Sequence, residues 1–277
     1  MTFTPELDPA AIKLLAFDID GTLIGADHKI SPFTKTILNR LRDKGVLTTL
    51  ATGRILPGVK AYADELEIEI PLIMSNGSIL QDRHGRVAAQ TCLPLDVVQA
   101  TIRIARQEKC DLVLYVKDKM YIEKMTDNIF PTYGSLLNNG LYEVGTWEAF
   151  EDQLSNASKC VIPDHFNEQN LFATEPLLAE ALNGRAVTLR TSPTLLEVQP
   201  NGVTKAKGLA QLAETLGISL QQVIAFGDYD NDVEMLRAAG LGVAVGNATP
   251  ACLEAADLLV ASPEEEGPAH FLEEFLL

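Results

Sequence analysis

Short apolar runs alternate with amphipathic helical stretches at both ends of this chain, and that alternation leaves few folds open. Leu14 to Asp20 is the first run, Leu, Leu, Ala, Phe and Ile in close succession, stopped at Asp-Gly, a turn signal. A run this short and apolar suits a strand covered on both faces. Ser31-Pro32 then offers an N-cap with proline at the first helical position, and Phe33, Ile37, Leu38 and Leu41 form one stripe ending at Gly45. Val46 to Thr52 reads as a second strand, Leu56 to Leu66 as a helix, and Pro71 to Ser75 as a third strand closed by Asn76-Gly77. The pattern resumes late: a helix over Ala206 to Leu216 closed by Gly217, a strand over Val223 to Phe226, a helix near Val233 to Ala239, and strands near Gly242 to Val245 and Leu258 to Ala261. Such alternation predicts an α/β fold, a Rossmann-like doubly wound parallel sheet with right-handed crossovers.

The middle of the chain breaks the pattern. Leu95 to Gln107 is helical, while Asp111 to Lys117 and Met120 to Lys124 read as a strand pair in more polar, alternating sequence. Residues 83–196 are therefore expected to form an inserted α+β domain, with 1–82 and 197–277 building the core together. A length of 277 residues with 47% hydrophobic residues can supply both cores without staples.

Charge narrows the partners. The formal net charge of −16 would repel a phosphate backbone, so binding to nucleic acid by charge is not expected. Cys92, Cys110, Cys160 and Cys252 lie far apart, without a C-x-x-C pair or histidines at zinc spacing, and read as reduced thiols. Met1 to Lys13 carries Glu6 and Asp8 and lacks an apolar leader segment, and no stretch is long enough to span a membrane. A cytoplasmic protein follows as the expectation, and the sequons at Asn156 and Asn247 then mean little.

Chemistry concentrates where strands end. Phe17-Asp18-Ile19-Asp20-Gly21-Thr22 closes the first strand, and residues two apart in a strand point the same way, which would turn both carboxylates into the crevice where ligands of open α/β sheets bind. Two such charges need a cation or a raised pKa; taken alone, the segment reads equally as a plain turn. Gly227-Asp228-Tyr229-Asp230-Asn231-Asp232 places more carboxylates after another buried strand, some of which could cap the next helix. If the two strands are neighbours, their acids converge on an oxygen-rich site suited to magnesium. Thr52-Gly53-Arg54 ends the second strand with a hydroxyl and a bare backbone that can approach a ligand oxygen, though Thr-Gly is also an ordinary turn. Thr204-Lys205-Ala206-Lys207 puts two cations in a first helical turn, against the helix dipole, which is either a solvated surface pair or a functional exception to the local rule.

In order, Asp18-Ile19-Asp20-Gly21-Thr22, Thr52-Gly53-Arg54, Lys205, and Gly227-Asp228 with Asn231-Asp232 resemble the four motifs of the haloacid dehalogenase superfamily, and of its Cof-type hydrolases with a large inserted cap. Asn76-Gly77 and Val245-Gly246-Asn247-Ala248 look like segments flanking the core strands of that family. The resemblance covers nearly the whole chain and implies a magnesium-dependent phosphatase acting on a small phosphorylated metabolite through an aspartyl phosphate. It implies Asp18 as nucleophile and metal ligand, and Asp20 as general acid and base that lends its main-chain carbonyl to the metal. Asp228 would complete the ligands, with Asp232 behind it; Thr52, Gly53, Lys205 and Asn231 would hold phosphoryl oxygens. The cap would act as a lid that contributes specificity. Arg54, Tyr115 and Tyr121 are candidates for substrate contact, with packing or surface roles as the plainer reading. A phosphomutase on the same chemistry, or a non-catalytic phosphoacceptor module such as a bacterial receiver domain, is the alternative.

Overall fold

The structure, a computed structural model, describes residues 8–277, so Glu6 and most of the stretch read for a leader lie outside the described residues. In chain order the first strands are β1 (Leu14–Phe17), β2 (Leu47–Leu50), β3 (Leu72–Met74), β4 (Ile79–Gln81) and β5 (Val87–Gln90). Next come β6 (Val113–Val116), β7 (Lys119–Ile122), β8 (Leu141–Glu143), β9 (Ala157–Pro163), β10 (Ala186–Ser192) and β11 (Leu195–Pro200). The last are β12 (Val223–Gly227), β13 (Leu241–Ala244) and β14 (Leu258–Leu259). The helices are α1 (Pro32–Asp43), α2 (Leu56–Glu65), α3 (Leu95–Gln107), α4 (Phe130–Tyr133), α5 (Glu168–Leu182), α6 (Lys205–Leu216), α7 (Val233–Ala238), α8 (Pro250–Ala255) and α9 (Gly267–Leu276).

The chain divides into two compact units, one running up to Ala89 and again from Thr204 to Leu277, the other comprising Gln90–Val203. Both divisions fall later than the expected 82/83 and 196/197. Arg83 sits in the turn between β4 and β5, and β4 pairs antiparallel with β3, which ties that hairpin to the first unit. At the other end Glu197 to Pro200 still pair with β10, which keeps the end of β11 in the second unit. No helix among the described residues is long and apolar enough to cross a membrane.

In the first unit a five-stranded sheet runs β14-β13-β12-β1-β2, every pair parallel. Alternation sorts its side chains into two layers. Leu15, Phe17, Ile224, Phe226 and Val243 pack with Ile37, Leu38 and Leu41 of α1, Val59 of α2 and Leu272 of α9. Leu14, Ala16, Val223 and Ala225 face the other way, against Leu209 and Leu212 of α6, Met235 and Leu236 of α7 and Cys252 of α8. Helix α1 begins as its sequence predicts, with the Ser31 hydroxyl accepting from the Thr34 N–H at 3.0 Å. Gly217, at φ 67, closes α6 in a left-handed conformation.

The second unit is a six-stranded sheet, β10-β11-β9-β6-β7-β8, antiparallel except for β7 against β8. One face carries Leu114, Cys160, Ile162, Leu196 and Val198 beneath α3 and α5. The predicted strand pair is there, as β6 and β7, but β9 to β11 and α5 had no clear signal. Their alternation is masked: all seven residues of β9 are buried, polar ones included.

Candidate active site

The site begins with a register. β1 lies parallel to β12 with Phe17 opposite Phe226, and the two rings stack with centroids 4.4 Å apart. The residue after Phe17 is Asp18, and two after Phe226 is Asp228, so the stacked pair brings the acids to one end of the sheet. The Asp18 N–H continues the ladder by donating to Phe226 O at 3.0 Å. Carboxylate oxygens of Asp18, Asp228 and Asp232 lie within 4.8 Å of one another, and all three residues are buried.

A single lysine serves this cluster. Lys205, only 1% exposed, extends from the first turn of α6, and its Nζ donates to Asp18 Oδ1 at 2.6 Å and Asp232 Oδ1 at 2.7 Å. The Thr204 hydroxyl caps the helix by accepting from the Lys207 N–H. Lys207 itself is exposed, so the two lysines of this turn have opposite fates. A cation at a helix start is unfavourable by roughly 0.3–1 kcal/mol, and two buried carboxylates outweigh that.

Each acid is fixed by further bonds. Asp232 Oδ2 accepts from the N–H groups of Asp228 and Tyr229 at 3.2 and 3.1 Å. Asp228 accepts from the Thr22 hydroxyl at 2.8 Å and from Asn247 Nδ2 at 3.2 Å, and the same Asn247 amide donates to Gly21 O at 2.9 Å. Gly21 sits at φ 85, and a Cβ there would strike the Asp228 carboxylate, so this turn and this approach both require glycine. Burial pushes the Asp18 carboxyl up to about 8; Lys205 opposes that shift, and Asp232 and Asp228 reinforce it. Asp228 is raised as well, by burial first. Lys205 is raised despite its burial because Asp18 and Asp232 hold its proton.

A second loop cluster stands at the ends of β2 and β3. Thr52 is buried, and its hydroxyl accepts from the Arg54 N–H at 3.1 Å. The Asn76 N–H donates to Thr52 O at 2.9 Å, and Asn76 Oδ1 accepts from Asn231 Nδ2 at 3.1 Å. A Cβ on Gly53 would stand 3.2 Å from that same Asn76 oxygen. Thr52, Gly53 and Asn231 therefore share one neighbour, Asn76. Sequence reading noted Asn76-Gly77 and the segment around Asn247 without giving either a task; the signal available was asparagine at a strand end, which turns alone also explain.

Asp20 departs from expectation. The strand stops at Phe17, and the Gly21 N–H bonds back to Ile24 O, so the two-residue alternation that would have aligned Asp20 with Asp18 does not extend this far. The Asp20 side chain is 47% exposed, and instead of joining the three clustered carboxylates it is gripped by Arg54, with Nε to Oδ2 at 2.8 Å and Nη2 to Oδ1 at 2.5 Å. Tyr115 is buried against Tyr133, their hydroxyls 3.1 Å apart, and Tyr121 packs on Phe150 with ring centroids 4.4 Å apart. Both tyrosines follow the plainer packing reading.

Three clustered carboxylates, two of them bonded to one lysine, leave acceptor oxygens over, and hard oxygen donors suit a small divalent cation. The donor set of Asp18, Asp228 and Asp232 thus fits such an ion. A parallel α/β sheet with clustered acids and a buried lysine at its strand ends defines a class of hydrolase, and comparison with known proteins makes the class specific. The haloacid dehalogenase-like hydrolase family matches residues 15–272, and the chain belongs to that family. It is 31% identical over 270 residues to the 5-amino-6-(5-phospho-D-ribitylamino)uracil phosphatase YitU of Bacillus subtilis, covering 95% of this chain and 97% of the relative. It is 30% identical over 266 residues to the HMP-PP phosphatase of Yersinia pseudotuberculosis, with 95% of each covered. The crystal structure of a haloacid dehalogenase-like hydrolase from Bacteroides thetaiotaomicron superposes with a TM-score of 0.85 at 30% identity, over 95% of this chain and 99% of that one.

Proposed function

We propose that this chain is a magnesium-dependent phosphatase that hydrolyses a small phosphomonoester through an aspartyl phosphate on Asp18. The observation that carries the reading is the clustering of Asp18, Asp228 and Asp232, with Lys205 bonded to Asp18 and Asp232, at the carboxyl ends of β1 and β12. The Asp18 carboxylate attacks phosphorus in line, the bond to the departing oxygen breaks, and Asp20 gives that oxygen its proton. Asp20 then takes a proton from water as the water attacks the same phosphorus, which frees phosphate and returns Asp18 as a carboxylate. Lys205 neutralises charge on the phosphoryl oxygens, while the Thr52 hydroxyl, the Gly53 main chain and the Asn231 amide hold them in place. Asp18, Asp228 and the Asp20 carbonyl, with Asp232 behind them, would hold magnesium, which would supply further positive charge at those oxygens.

The substrate class is a small phosphorylated metabolite. Two relatives of nearly equal identity carry different substrates in their names, so neither substrate is transferred to this chain. The test is a screen of phosphorylated metabolites, with and without magnesium, that reads released phosphate. Hydrolysis in magnesium alone, lowered by three orders of magnitude or more in Asp18→Asn, is the expected result on the scale of nucleophile removal. Undiminished hydrolysis by Asp18→Asn would refute the assignment; a long-lived phosphoprotein without turnover would favour a phosphoacceptor module.

A further inference from the structure

The fork between Arg54 and Asp20 has no task in the chemistry above. Arg54 is itself anchored: its Nη1 donates to Gly58 O at 2.8 Å in the first turn of α2, and its guanidinium carbon lies 5.6 Å from the centre of the Tyr62 ring. Tyr62 is in turn fastened through its hydroxyl to His28 O at 3.2 Å. The remaining edge of the guanidinium meets both oxygens of Asp20. A planar two-point contact of this kind fixes the orientation of a carboxylate, which a point charge would not do. Without it, a half-exposed aspartate in a turn would sample several rotamers.

We infer that Arg54 is a positioning residue that holds the Asp20 carboxylate in the orientation used to move protons to the leaving oxygen and from the attacking water. The inference rests on the reading of Asp20 as acid and base. Arg54 touches neither phosphorus nor the departing group in this account, and acts only through Asp20.

Phenyl phosphate and p-nitrophenyl phosphate separate the two steps, because they share a shape while phenolate needs a proton on departure far more than p-nitrophenolate does. In Arg54→Gln, kcat/KM for phenyl phosphate should fall about tenfold or more, within the range a general acid contributes. The same ratio for p-nitrophenyl phosphate should change less than about threefold. Its kcat should nevertheless fall, since the hydrolysis step still needs Asp20, and a burst of p-nitrophenolate should precede the steady state. Arg54→Lys keeps the charge without the fork and should share the defect; a thermal midpoint for each variant shows that it is folded. Equal losses on both esters, no loss on either, or parental kinetics in Arg54→Lys would overturn the inference. Asp20→Asn is the control that separates the two levels: inactive, it leaves the acid and base reading standing while Arg54 is judged; fully active, it removes that reading and this inference with it.

Discussion

Each unit of this molecule buries one lysine against carboxylate, and the two sites differ in what they leave unsatisfied. In the second unit Lys159, 3% exposed, donates to Glu197 at 3.1 Å and lies 4.5 Å from the centre of the Tyr115 ring. Gln199 donates to the other oxygen of Glu197 at 2.5 Å. In the first unit Lys205 meets Asp18 and Asp232, with Asp228 beside them, so one cation faces three acids. Burial of charge is common to both; a cluster of three acids is found, among the described residues, at the strand ends of the core. A buried pair is weak evidence of purpose, whereas a buried imbalance calls for a further cation.

Replacing each lysine with methionine should break the comparison most sharply. Lys159→Met removes the cation bonded to a buried carboxylate and should cost about 3–5 kcal/mol by denaturant unfolding, with or without magnesium. Lys205→Met should also destabilise the metal-free chain, yet here magnesium should restore part of the loss, since the same oxygens accept either cation. Equal responses of the two variants to magnesium would erase the distinction between the sites.

Magnesium and pH sharpen it further. The Asp18 carboxyl stands at about 8 in the folded chain against an ordinary 3.8, chiefly through burial. Between those values the folded state binds a proton that the unfolded state has released, so this contribution to stability is full below pH 4 and is lost as pH rises through 8. The metal-free protein should accordingly melt at a lower temperature at about pH 8.5 than at about pH 5.5, and Asp18→Asn should flatten that slope. A divalent ion competes with the proton, so its stabilisation should be larger at the higher pH. At ten times its dissociation constant an ion binding only the folded state adds about 1.4 kcal/mol. A magnesium effect that shrinks as pH rises would contradict the assignment of Asp18 to the ion.

Much of the core was legible because its signals are local. Apolar runs bounded by Asp-Gly or Asn-Gly, the Ser31-Pro32 cap and Gly217 each act within a turn of where they stand. The acid site was legible for a related reason: strands of a parallel sheet end on the same side when they are neighbours, so two acidic loops far apart in sequence had one place to meet. The Asp20 side chain stands apart from the three clustered acids because alternation ends at Phe17, before Gly21 folds the chain back on Ile24. The second unit was read least well. Lys159, Glu197 and Gln199 put polar residues where a buried strand is expected to be apolar, and only their mutual bonding across β9 and β11 explains them.

The smallest expected effect concerns Asn247, which sequence reading left without a role. Its amide ties the Gly21 carbonyl to Asp228 Oδ2, so it links the two strand-end loops without entering the cluster of three acids. Thr22 holds the other oxygen of Asp228 at 2.8 Å. Asn247→Ala therefore removes one restraint on Asp228 and should cost about 1 kcal/mol in stability, the ordinary worth of a partly buried hydrogen bond. If Asp228 grips the ion, the same change should raise the magnesium concentration needed for half-maximal activity about tenfold, at the low end of the range typical of outer partners of metal ligands. Saturating magnesium should then restore kcat. Thr22→Val should act in the same direction, and the two together should weaken magnesium binding more than either alone; unchanged magnesium dependence in the double variant would separate Asp228 from the ion and leave its bonds a purely structural matter.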